Sequence, residues 1–228
     1  MSPLIIALDF ESAEQARALV AVLGNKADFY KVGLELYAAA GMEFVRELIA
    51  GGKRVFLDLK FYDIGETVKR AVRQAAATGV TFLTVHGSGP VMQAAVEGRG
   101  ASALKLLAVT VLTSFDQEDL SDLGYPCGVP ELVALRVRKA MDAGIDGLVC
   151  SPTDAASVRG LAGPKAILVT PGVRSAGVSK GDQKRTATPA EALRNGANYL
   201  VIGRQVTRSD DPAAEFHRIL REASPPQL

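Results

Sequence analysis

Cysteine is scarce in this chain. Its 228 residues include two, Cys127 and Cys150, far apart and without metal-ligand spacing. That argues against a disulfide framework and fits two free thiols in a reducing cytoplasm. An excess of charge of one sign is also missing, since 26 Lys and Arg face 25 Asp and Glu for a net charge of +1. A chain so balanced is expected to bind neither nucleic acid nor a membrane surface, so any anionic ligand has to be held by local charge. No apolar run is long enough to span a bilayer. The start has no basic region before its short apolar run and reaches Asp9 at once, which is not the pattern of a signal peptide. There is no Pro/Ser-rich linker and no change of composition between the halves, so residues 1–228 are expected to form a single domain. Finally, no Gly-x-Gly-x-x-Gly follows the first apolar run, where Ala7, Leu8, Asp9 and Phe10 stand instead, and a dinucleotide-binding open sheet loses its main support.

What the chain does have is 48% hydrophobic residues arranged in a repeating order. Apolar, β-branched runs at Leu4–Leu8, Phe29–Val32, Val55–Leu59, Val80–Val85, Leu104–Leu112, Leu148–Cys150, Ile167–Thr170 and Tyr199–Ile202 alternate with amphipathic segments. Strands alternating with helices imply a parallel sheet, and eight such units in about 200 to 250 residues predict a closed (β/α)8 TIM barrel. A doubly wound open sheet is the alternative. In the second helix, Leu34, Tyr37, Gly41, Phe44 or Val45, and Leu48 are expected to face the core. The last helix is marked by Asp210 and Asp211 before Pro212, an N-cap followed by a first-turn proline.

A barrel of this kind places its chemistry at the carboxyl ends of the strands. The residues that close the runs are mostly polar: Asp9, Lys31, Asp58 with Lys60, His86, Thr113, and Gly203 with Arg204. The densest such ending lies between Arg54 and Thr67. Val55, Leu57 and Leu59 alternate there with Phe56, Asp58 and Lys60, so Asp58 and Lys60 share a strand face. From Ile64 the period becomes helical, through Val68, Ala71 or Val72, and Ala75. Asp58, Lys60 and Asp63 are therefore charged groups crowded at a strand-to-helix turn, an arrangement typical of catalytic sites. An ion-pair cluster plugging the barrel end is the structural alternative.

Two loops exceed the usual length. Residues 114–130 carry Asp116, Glu118, Asp119 and Asp122, read as the solvated face of a short helix. The stretch from Thr170 to Arg185 has glycines at 172, 177 and 181 among cations and small residues, the composition of a mobile lid. Loops after the seventh and eighth strands are the usual phosphate site of these barrels, and here they offer Arg174, Gly203 and Arg204. A surface ion pair is the alternative for Arg204.

The motif Asp58-x-Lys60-x-x-Asp63-Ile64 resembles the signature of the orotidine 5′-monophosphate decarboxylase family, and the likeness extends over nearly the whole chain. The resemblance implies cofactor-independent, metal-free conversion of orotidine monophosphate to UMP and CO2 in a cytoplasmic enzyme of pyrimidine biosynthesis. It implies that Lys31, Asp58, Lys60 and Asp63 form the catalytic set, with Asp9 and Lys31 near the ribose. Thr113 matches a hydroxyl residue beside the pyrimidine, Pro171 the wall of its pocket, and Gln183 the lid residue bridging phosphate and base. Arg174 and Arg204, with Gly203, match the phosphate ligands. It further implies a homodimer in which Asp63, Ile64 and Thr67 reach into the partner's site. One departure is Pro90, where the family often has a second glycine. His86 is read as a buried structural histidine near the phosphate end and is left outside the catalytic set.

The nearest rival is the related phosphosugar branch of the superfamily, which resembles this pattern but is magnesium-dependent and carries a glutamate where Lys31 stands. A cation at that position would repel Mg²⁺, which prefers carboxylates. A non-catalytic barrel binding a phosphorylated metabolite would keep Arg174, Gly203 and Arg204 but need neither Lys60 nor the Asp58 and Asp63 pair.

Overall fold

The computed structural model describes residues 2–178 and 185–224. Among them, eight parallel strands pair in chain order and close on themselves: β1 (Leu4–Ala7), β2 (Phe29–Gly33), β3 (Arg54–Phe61), β4 (Phe82–His86), β5 (Lys105–Val109), β6 (Gly147–Val149), β7 (Ile167–Thr170) and β8 (Tyr199–Ile202). The helices are α1 (Ala13–Leu23), α2 (Leu34–Ala50), α3 (Gly65–Ala77), α4 (Gly89–Arg99), α5 (Gln117–Asp122), α6 (Val129–Asp142), α7 (Ala155–Ala162), α8 (Pro189–Arg194), α9 (Arg204–Thr207) and α10 (Pro212–Glu222). The (β/α)8 barrel expected from the alternation of apolar runs is the fold.

The period of two along each strand sorts side chains between two cores. Outward-facing Ile6, Tyr30, Val32, Val55, Leu57 and Leu83 pack under the helices. Inward-facing Ile5, Phe29, Phe56, Phe82, Leu107, Val169 and Val201 fill the barrel. Aromatic rings plug its lower part, with Phe29 and Phe82 5.1 Å apart and Tyr199 edge-on to both. Phe56 meets Phe82 at 6.0 Å. A barrel filled in this way places its ligand site above this plug, at the carboxyl ends of the strands.

Helix ends follow their capping residues. Ser12 accepts a hydrogen bond from Gln15 N–H at the start of α1, and Asp211 accepts from Ala214 N–H ahead of Pro212. Thr188 and Glu191 form a capping box at α8. Asp116 and Asp119 form another at α5, so two of the four acids expected on a solvated face hold the helix start instead. Pro90 lies in the first turn of α4, where a proline needs no N–H partner, so this departure from the family pattern fits the helix locally. Gly98 lets α4 lie close to α3, because a Cβ there would stand 2.3 Å from the Lys69 carbonyl oxygen.

Several expectations are corrected. In α2, Leu36, Phe44, Val45 and Leu48 are buried while Leu34 is exposed, since Gly41 at φ 62 breaks the helical period that would have aligned Leu34 with the others. Ile64 is the N-cap of α3, not part of its buried stripe, and is 78% exposed. The fifth strand ends at Val109, short of Leu112. Beyond it the Thr110 N–H and hydroxyl both turn to the Val149 carbonyl, and the Arg136 guanidinium takes the Thr110 carbonyl.

Candidate active site

The strand ends surround a cavity of about 660 Å³. Asp9, Lys31, Asp58, Lys60, Thr113, Pro171, Arg174, Gly203 and Arg204 all line it, together with an apolar wall that includes Val109, Val149 and Val201. Asp63, Ile64 and Thr67 do not line it and are exposed on the surface of this chain. Gln183 lies outside the described residues.

At one side of the cavity four charged side chains alternate in sign. Lys31 Nζ donates to Asp9 Oδ1 at 2.8 Å and stands 3.9 Å from Asp58 Oδ2. Lys60 Nζ donates to Asp58 Oδ1 at 2.9 Å. The side chains of Lys31 and Asp58 are only 11% and 15% exposed, so each charge needs its neighbours. Removing one partner of a buried pair costs about 3–5 kcal/mol because the other is left uncompensated. Asp63, expected in the same network, does not join it within this chain. Its Oδ1 accepts from the Ile64 N–H at 2.6 Å.

The backbone makes this row possible. The β2–β3 register sets Gly33 opposite Asp58. A Cβ at Gly33 would lie 2.8 Å from Lys31 Nζ and 3.3 Å from Asp9 Oδ1, so only glycine leaves both where they are. In β3 the ladder to β4 is irregular between Leu57 and Phe61, and Lys60 has φ 49, the only non-glycine positive value among the described residues. Thr84 fills the gap. Its hydroxyl accepts from Lys60 N–H at 3.0 Å and donates to Asp58 Oδ1 at 2.8 Å. Sequence reasoning missed Thr84 and Gly33. The one available signal for Thr84 was a hydroxyl on the inward phase of an otherwise apolar strand.

Across the cavity the character is cationic. Arg174 lies on the loop after β7 and Arg204 opens the short helix α9 directly after β8, and burial together with the Arg204 charge holds the Arg174 guanidinium below its ordinary pKa. Arg174 Nη1 donates to its neighbouring Val173 carbonyl at 2.7 Å, which orients the fork. Two guanidinium groups facing one cavity suit a dianion such as a phosphate monoester. The Arg185 guanidinium, also missed, pairs with Asp154 and donates to the Leu112 carbonyl at 2.9 Å, fixing the segment ahead of Thr113.

Two further residues are settled by their surroundings. Cys150 lines the wall, but burial pushes its thiol up to about 12, so it stands as a neutral apolar contact and not as a nucleophile. His86 does not line the cavity, and its strand lies across the closed barrel from β8 and not at the arginine side. Its ring lies 4.3 Å from that of Tyr62, and burial and the Arg136 charge lower its pKa. Among the described residues no group of three or more His, Cys, Asp or Glu is placed to hold a metal ion. Nor is any helix among them long and apolar enough to cross a membrane.

A barrel mouth that sets an alternating row of two lysines and two aspartates against a pair of arginines has relatives. An orotidine 5′-phosphate decarboxylase from Nitrobacter winogradskyi is 53% identical over 219 residues, covering 96% of this chain and 91% of that one. Another from Methylorubrum extorquens is 50% identical over 219 residues, covering 96% and 94%. The crystal structure of orotidine 5′-phosphate decarboxylase from Lactobacillus acidophilus superposes with a TM-score of 0.86 at 34% identity, covering 99% of this chain and all 100% of that one. Residues 2–219 match the family described as orotidine 5′-phosphate decarboxylase / HUMPS, and the chain belongs to that family.

Proposed function

We propose that this enzyme decarboxylates orotidine 5′-monophosphate to UMP and CO2, the closing step of UMP synthesis, without metal or organic cofactor. The observation that carries the reading is the row Asp9, Lys31, Asp58, Lys60, which ends in an ammonium group inside a cavity whose other side holds Arg174 and Arg204. The arginines take the phosphate, and the pyrimidine lies toward Lys60 and Thr113, with Pro171 at its edge. Breaking the bond between C6 and the carboxylate leaves the electron pair on C6. Lys60 stabilises that carbanion electrostatically and gives it a proton, and the amine regains a proton from water. Asp58 keeps Lys60 in place and faces the leaving carboxylate. Because Asp58 and Thr84 are already hydrogen-bonded to each other and to Lys60, and Lys31 is held by Asp9 beside Asp58, the charges need little rearrangement as the reaction proceeds. Phosphate contacts far from C6 add binding energy that orders the site.

Support for the metal-free reading comes from Lys31. Both oxygens of Asp58 already face ammonium groups, at 2.9 and 3.9 Å, in the place where a divalent ion would need carboxylates. The same proposal includes a homodimer with shared sites. Asp63 and Thr67 are exposed and lie outside their own cavity, beside Tyr62 and Ile64, which are 67% and 78% exposed. Large apolar side chains this bare beside a charged site residue suit a partner's cavity rim. It also places the enzyme in the cytoplasm, where a reducing medium maintains unpaired thiols such as Cys127 and Cys150. The test is to add orotidine monophosphate to purified protein in EDTA and follow the pyrimidine absorbance. Turnover is expected to be unaffected by the chelator. Turnover lost in EDTA and restored by Mg²⁺ would replace this reading with the phosphosugar one.

A further inference from the structure

The two arginines of the cavity come from different segments, the loop after β7 and the start of α9, and their side chains repel each other. Burial and the Arg204 charge already disfavour the cationic form of Arg174. Their spacing before a dianion arrives therefore needs a separate constraint, and the residues that follow each arginine supply one. Gln205, next to Arg204, accepts from Ser175 N–H at 3.1 Å and donates from Nε2 to Ser175 Oγ at 2.7 Å, and Ser175 is next to Arg174. Gln205 Nε2 also donates to Glu215 Oε1 on α10 at 2.8 Å. The amide has one possible orientation, since a main-chain N–H can only donate and a carboxylate only accept. Ser175 is 3% exposed, so its N–H and hydroxyl depend on protein partners. Glu215 is itself fixed by Arg218, whose Nε meets Oε2 at 2.9 Å and which holds the carboxyl below its usual range. The constraint thus runs from α10 through one side-chain amide to both arginine-bearing segments.

We propose that Gln205 is a positioning residue for the phosphate site, holding Arg174 and Arg204 at the spacing that a phosphate monoester bridges. It touches no substrate and acts through the two arginines. This rests on the phosphate role given to them above. A purely structural Gln205 would weaken every ligand alike, whereas a phosphate-positioning Gln205 weakens only ligands that carry the phosphate, and only while both arginines are present.

The experiment measures the dissociation constants of UMP and uridine by calorimetry, and turnover of orotidine monophosphate beside them, in wild-type protein, Gln205→Leu, Ser175→Ala, Arg204→Ala and the double variant Gln205→Leu/Arg204→Ala. Ser175→Ala removes one hydrogen bond of the clamp and keeps the N–H contact, so it decides the question by the same criteria if Gln205→Leu does not fold. Gln205→Leu should raise KM for the nucleotide and the UMP dissociation constant about tenfold, and Ser175→Ala about threefold, with uridine within about twofold of wild type. In the Arg204→Ala background the Gln205→Leu effect on UMP should shrink below about twofold. Equal losses for UMP and uridine, or an undiminished effect without Arg204, would overturn the proposal. Wild-type protein that prefers UMP to uridine but leaves orotidine monophosphate unchanged would sink the functional reading alone, since the dissociation constants of the variants still decide the clamp by the same criteria. Wild-type protein that does not distinguish UMP from uridine would end both.

Discussion

Lys60 Nζ lies 2.9 Å from Asp58 Oδ1, although the two residues are separated by a single position on one strand. In a regular strand such side chains run side by side, close to 7 Å apart at the backbone. Here the left-handed backbone of Lys60, at φ 49, lets its ammonium group turn back, and Thr84 bonds to both residues at the break. A non-glycine residue in that region of conformational space carries strain, and such strain collects at functional sites.

Lys60→Ala should fold and lose turnover by about a thousandfold or more, because both the adjacent cation and the proton donor are gone. Circular dichroism and single-turnover decarboxylation measured together check this. Near-normal turnover in a folded variant would remove Lys60 from the mechanism.

Gly33→Ala is the corresponding test of the first half of the row. Its new methyl group would lie 2.8 Å from Lys31 Nζ, the far end of a flexible side chain, so the fold should survive while Lys31 is pushed off Asp9. Displacing a site group by about 1 Å can cost roughly a hundredfold in rate. A loss of about ten- to a hundredfold in kcat, with the fold retained by circular dichroism, is the expected result. Wild-type kcat would show that the Lys31 and Asp9 contact is unimportant for the chemistry.

Arg204→Ala should reduce kcat/KM for the intact nucleotide by about ten- to a hundredfold, the scale of one charge-assisted contact. Turnover of a truncated nucleoside without phosphate should change little. Steady-state kinetics on both substrates decide it, and an equal penalty on the two would assign Arg204 to structure.

Asp63 is expected to act in the partner's site. Lys60→Ala and Asp63→Ala homodimers would each be defective, yet a mixed dimer would hold one site with both lesions and one with neither. After dissociation and reassociation of equal amounts, half the dimers are mixed and half of their sites intact, so activity should recover to about a quarter of wild type. Tagged subunits establish that mixing occurred. Mixing without recovery would return Asp63 to its own subunit or place it outside catalysis.

The sequence by itself determined the barrel, because the period of two in eight apolar runs and the helical period between them are local properties that tertiary packing had only to satisfy. It also brought forward Asp9, Lys31, Asp58, Lys60, Arg174 and Arg204, since charged residues that close apolar strands in this fold converge on one mouth. It did not determine Thr84, Gly33 or the pairing of Gln205 with Ser175. Thr84 acts on Asp58, Gly33 leaves room for the contact of Lys31 with Asp9, and Gln205 meets Ser175, through a hydrogen bond or a vacant volume that exists only once β1 to β4, or the loop after β7 and the start of α9, lie side by side. The exposure of Leu34 and Ile64 was illegible for a related reason. A single backbone break, at Gly41 in one case and at the turn into α3 in the other, changes which face a side chain takes without altering the pattern of residue types. Helical periodicity reports a face only while the helix is continuous, and only the tertiary structure decided where it is not.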